Sequence, residues 1–126
     1  MPIDFSVDAD GQIVHLRCSD PLGPDDVMTA LNRQIREGCW QFGTLVDARA
    51  SGLDAKQSAA LFGRVQQLVA QHGPNGPVAL VTRAPEHVGG GQVIAVRGAG
   101  LAMKFEVFWD VSDADAWLRK ELGRVS

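Results

Sequence analysis

Apolar and polar residues alternate at Phe5-Ser6-Val7 and again through Gln12-Ile13-Val14-His15-Leu16-Arg17, the two-residue period of a strand with one buried face. Asp8-Ala9-Asp10-Gly11 lies between the runs and supplies an Asp-Gly turn. The pair predicts a β-hairpin with Ile13 and His15 on one face and Val14 and Leu16 on the other. The period then lengthens. Gly23-Pro24-Asp25-Asp26 starts a helix, because proline has no N–H to leave unpaired at the first helical position and the carboxylates face the positive end of the dipole. Val27, Ala30, Leu31 and Ile35 predict its buried face to about Glu37, and Gly38 predicts its end.

Leu45-Val46 reads as a buried central strand closed by Asp47, and a polar loop leads to Asp54, which with Gln57 resembles a capping box. Leu61, Val65, Leu68 and Val69 form an apolar stripe to about His72, opposite Lys56, Arg64, Gln67 and Gln71. Gly73-Pro74-Asn75-Gly76-Pro77 stops that helix, and Val78-Ala79-Leu80-Val81 is the short continuous run of a strand covered on both faces. Gln92–Arg97 fits a helix or a strand, since periodicity does not arbitrate over so few residues, and a helix is assigned because the preceding elements alternate strand and helix. Lys104 to Trp109 alternates as a strand, and Ser112 with Asp115 three residues on predicts the cap of a last helix burying Ala114, Trp117, Leu118 and Leu122.

The predicted order is β-β-α-β-α-β-α-β-α. It defines an α/β fold with a mixed, largely parallel sheet of about five strands, an N-terminal hairpin and helices packed on it. The chain of 126 residues, 45% hydrophobic, is the size of one domain whose core needs no metal or disulfide. Trp109 and Trp117 are expected in that core, and Trp40, in a turn beside Phe42, is expected to be partly exposed.

A net charge of −3 with scattered basic residues argues against a nucleic-acid interface, which needs a basic stripe. Cys18 and Cys39 lack metal spacing and read as reduced structural thiols. The first residues carry no signal-peptide pattern and no apolar run is long enough to span a bilayer, so a cytoplasmic protein is expected. His15, His72 and His87 have no metal spacing, and Gly89-Gly90-Gly91 does not follow its strand as a dinucleotide fingerprint must. No cofactor is expected.

Candidate chemistry gathers after the central strands. Asp47 and Arg49 follow one strand, Arg83 and His87 the next, and ligands of open α/β sheets sit at that carboxyl edge. These four residues suit a small anion; the plainer and favoured reading is surface loop polarity with Asp47 capping nearby backbone. Ser51 and Gly52, before the Asp54 cap, place a hydroxyl near a helix N-terminus, where a phosphate is stabilised. Ser58, one turn on, is a second hydroxyl; the plainer reading of both is a loop or solvent-facing serine.

The strand ending in Leu45-Val46-Asp47, the Val78-Ala79-Leu80-Val81 strand, the late Val107-Phe108-Trp109-Asp110 segment and Ala114-Asp115-Ala116-Trp117-Leu118 together resemble bacterial STAS-like domains, relatives of anti-sigma-factor antagonists with a lipid-transfer-like branch. The resemblance spans roughly Phe5 to Leu122. Only Ser51-Gly52-Leu53 of that family's phosphoacceptor motif is present, closer to Asp47 than the family places it. The resemblance implies a non-catalytic binding or regulatory module acting through a protein partner, and it admits a homodimer. A protein partner would call for an exposed apolar patch around Leu53–Leu61. The alternative is a carrier of a small apolar, lipid or anionic ligand, with a cavity between the helix after Asp54 and the segment after Gly91. A hydrolase-type enzyme is a third reading and would need a cleft gathering Asp47, His87 and Ser51.

Overall fold

The computed structural model describes residues 3–19, 22–50, 55–83 and 104–123. Five strands form one sheet in the order β1-β2-β3-β4-β5: β1 Ile3–Asp8, β2 Ile13–Cys18, β3 Gly43–Asp47, β4 Val78–Val81 and β5 Phe105–Phe108. β1 pairs antiparallel with β2, and every later pairing is parallel. The described helices are α1 Pro24–Arg36, α2 Ala55–His72 and α3 Val111–Glu121. The α/β class, hairpin and mixed sheet match the expectation; the helix expected over Gln92–Arg97 lies outside the described residues.

Strand order explains where the helices lie. Each step from β2 to β3 to β4 moves one place across the sheet in the same direction, so right-handed crossovers put α1 and α2 on one face. That face carries Val14, Leu16 and Val46 beneath Ala30 and Cys39, and next to it Met28, Trp40, Leu61, Phe62 and Val65 close around Phe105. The Phe62 and Phe105 rings meet edge to face, 6.0 Å apart. The opposite face carries Ile13, Leu45, Ala79 and Val81, covered by Ala114 and Leu118 of α3. Helix α3 packs over β3, β4 and β5, so no described helix covers most of that face on β1 and the carboxyl half of β2.

Local signals account for most boundaries. Asp26 accepts a bond from the Gly23 N–H at 2.8 Å, and Gly38 takes the left-handed conformation (φ 76°) that ends α1. The wholly buried residues of α1 are Met28, Ala30 and Gln34, while Val27, Leu31 and Ile35 are partly buried against the same core. The helix is therefore rotated slightly from its expected stripe. Gln34 is buried because its Nε2 donates to the Cys39 carbonyl at 3.1 Å and to Thr44 Oγ1 at 3.0 Å, joining α1 to β3.

Two tryptophan expectations are reversed. Trp40 is 6% exposed because its indole N–H reaches the Gly73 carbonyl at 2.8 Å and ties the end of α2 to the loop before β3. Trp109 is 61% exposed. Strand β5 ends one residue earlier, at Phe108, which packs against Trp117. The cap of α3 is Asp110, accepting the Ser112 N–H at 2.6 Å, and not Ser112. An aspartate cap at that position turns the chain at Trp109 and leaves the indole outside the core.

Candidate functional site

The parallel ladder brings several of the expected residues to one edge. Asp47 is the last residue of β3 and stands between Arg17 of β2 and Val81 of β4. Beyond it the Ala48 N–H donates to the Val81 carbonyl at 2.8 Å, and the Thr82 N–H donates to the Phe108 carbonyl at 3.0 Å. These bonds set Arg49, Arg83 and Trp109 in sequence along the carboxyl edge. Ser51, Gly52, Asp54 and His87 lie outside the described residues, and so does the Ser58 side chain on α2.

Asp47 and Arg49 are committed to each other. The guanidinium grips both carboxylate oxygens, Nε to Oδ1 at 2.9 Å and Nη2 to Oδ2 at 2.8 Å, and the Arg49 backbone N–H adds a bond to Oδ1 at 3.2 Å. This fork is the strong form of a carboxylate–guanidinium contact. It holds the Asp47 carboxyl below its ordinary range although partial burial pulls the other way, with the charge of Arg17 helping. Arg49 is raised in turn, chiefly by Asp47 and further by Asp110. Arg83 is exposed and has no ion-pair partner among the described residues.

The Leu53–Leu61 patch is not supported at its described end, because Leu61 is 6% exposed and belongs to the core. Among the described residues, Trp109 is the large apolar residue that most faces solvent, followed by Val7 at 37%. An aspartate at 110 with another at 113 is itself a helix-start pattern; given that weight, it would have ended β5 before Trp109.

Two of the hollows on the described surface are open to solvent. One, of about 300 Å³, lies on the uncovered part of the α3 face and is lined by Asp4, Ser6, His15, Arg17, Leu45, Asp47 and Val111 among others. The other, of about 440 Å³, sits at the amino edge between Gln12, Ile35, Gln41, Phe42 and His72. The cavity expected between α2 and the segment after Gly91 falls on residues outside those described.

Metal and thiol chemistry find no footing among the described residues. They contain no cluster of three or more His, Cys, Asp or Glu able to hold a metal ion. Both cysteines are free and buried. Burial, reinforced by the nearby Asp47 charge, pushes the Cys18 thiol up to about 11, and burial also raises Cys39. Neither is a nucleophile at neutral pH. No described helix is long and apolar enough to cross a membrane. Compared with known proteins, the chain matches no family model, no curated protein and no solved structure.

Proposed function

We propose that the chain is a non-catalytic, STAS-like interaction module of the cytoplasm that engages a protein partner through the carboxyl edge of its sheet. The observation that carries this reading is the 61% exposure of Trp109, on an edge shared with Arg49 and Arg83. Tryptophan and arginine are the residues most enriched where interfaces hold their binding energy. Trp109 leaves roughly 100–150 Å² to be covered, which at about 25 cal/mol per Å² stabilises a complex by about 3 kcal/mol. The element order supports the STAS-like reading. A lipid carrier would use an enclosed apolar cavity; the two hollows described above are open.

The test is affinity capture from the source cell with the native chain, with Trp109→Ser and with Val7→Ser as a control. A partner held by the native chain and by Val7→Ser but weakened about a hundredfold by Trp109→Ser is the expected result. Equal recovery with all three chains, or no specific partner, contradicts the proposal.

A further inference from the structure

We infer that the open hollow beside α3 binds a free α-amino acid, with its ammonium on Asp4, its carboxylate on Arg17 and an apolar side chain against Leu45 and Val111. This site adjoins the carboxyl edge proposed for the partner, where Arg49 holds Asp47, but the inference does not depend on that reading.

The inference begins with which charges in the hollow are already matched. Asp47, on its floor, has both oxygens gripped by Arg49. Asp8, on the same face of β1, accepts the Gly11 N–H at 3.1 Å and a bond from Arg119 at 3.2 Å. Arg119 in turn reaches Asp115 at 2.8 Å. Asp4 and Arg17 remain. They are direct cross-strand partners in the β1–β2 ladder, both are exposed, and neither forms an ion pair among the described residues. Arg17 adds its charge to the field at Asp47 but forms no such pair, so one charge of each sign on adjacent strands is left to meet a ligand carrying one of each. Side chains directly opposite in an antiparallel pair start about 5 Å apart at Cβ, a spacing that the ammonium and carboxylate of one amino acid can bridge.

The rest of the lining agrees with that chemistry. Ser6 and His15 are the next cross-strand pair on the same face, and they bring a hydroxyl and an imidazole beside the two charges. Leu45 and Val111 form the apolar wall where α3 begins. A volume of about 300 Å³ is at the small end of ligand sites and holds a single amino acid. A polyanion such as a nucleotide is disfavoured, because Asp4 and Asp47 flank the Arg17 guanidinium.

Three probes differing by one charge test this: L-leucine, N-acetyl-L-leucine, which lacks the ammonium, and L-leucinamide, which lacks the carboxylate. Each is titrated into isotope-labelled full-length chain while backbone amide shifts are followed by NMR. Leucine is expected to shift the amides of Ser6, His15, Arg17, Leu45 and Val111 in one saturable process. The two derivatives are expected to bind at least about tenfold more weakly, the loss of one charge-assisted hydrogen bond. Asp4→Asn is expected to abolish the preference over N-acetyl-leucine and Arg17→Gln the preference over leucinamide. Both replacements are on exposed strand positions, and an unchanged shift map elsewhere shows that the fold is kept. Absence of shifts at these amides overturns the inference. So do equal responses to all three probes, or discrimination that survives both substitutions.

Discussion

Replacing Gln34 separates hydrogen bonding from packing at the point where α1 meets β3. Gln34 is 1% exposed. Its amide nitrogen serves two acceptors, while its Oε1 is buried with no hydrogen-bond partner. In Gln34→Met the side chain keeps its length and two bonds are lost, each worth about 1 kcal/mol net. The same change removes an orphan carbonyl oxygen whose burial costs about 1–3 kcal/mol. The Cys39 carbonyl also keeps a bond from the Phe42 N–H at 3.1 Å. The polar gains and losses nearly cancel, so Gln34→Met changes stability by no more than about 1 kcal/mol. Gln34→Ala loses the same bonds and also empties most of the side-chain volume, for which large-to-small core changes cost about 2–5 kcal/mol.

Equilibrium urea unfolding reads both variants. With a slope of about 2 kcal/mol per M, Gln34→Ala should lower the midpoint by roughly 1–2 M and Gln34→Met by less than about 0.5 M. A methionine variant as unstable as the alanine variant would refute the reasoning, since it would show that the Oε1 oxygen is satisfied and that the amide bonds dominate the site.

Three further outcomes follow from individual contacts. At Gly76 an added Cβ would collide with the Phe42 carbonyl oxygen and stand 2.6 Å from that of Gln41, backbone atoms that cannot swing aside, so Gly76→Ala should cost more than about 2 kcal/mol. By contrast Gly63→Ala in α2, where a Cβ meets nothing within 4 Å, should raise stability by about 0.5–1 kcal/mol; thermal unfolding of the pair checks both signs. Asp47 lies below the ordinary aspartate value of 3.8, first through its Arg49 hydrogen bonds. Its stabilising effect is therefore present above that pH and lost as pH falls through the lower folded value. Unfolding measured across pH should show the native chain ahead of Asp47→Asn at neutral pH, with the gap closing below about pH 4. Both thiols, buried and raised, should resist a disulfide reagent at pH 8 in the native chain and react fully in denaturant. Fast labelling of Cys18 without denaturant would contradict its placement.

The fold was largely legible because its signals are local. Period-two alternation marks β1 and β2, Pro24 and Gly38 bound α1, and the unbroken Val78–Val81 run marks a strand between two covered faces. What escaped depends on contacts between distant residues. Trp40 looks like a turn residue until the Gly73 carbonyl, 33 positions away, provides its hydrogen bond. Gln34 reads as a polar helix position because nothing in the 3.6-residue period reveals that Cys39 and Thr44 will supply acceptors.

At the candidate site, Asp47 and Arg49 stood out by position, but their mutual fork depends on the loop conformation after β3. Trp109 was misassigned because alternation through Lys104–Trp109 outweighed the aspartate pattern that begins α3. Asp4, Ser6 and Arg17 were not singled out at all. The hairpin alone places them on one face, but only the position of α3 shows that this part of the sheet is left open.

The role assigned to the carboxyl edge is tested most directly by placing a photo-crosslinking benzoylphenylalanine at position 109 and, in a separate chain, at position 7, then irradiating living cells. A discrete protein adduct from position 109 and none from position 7, the other large apolar residue exposed among the described residues, is the predicted result. No adduct at position 109, or the same adducts from both positions, would contradict a partner surface centred on Trp109.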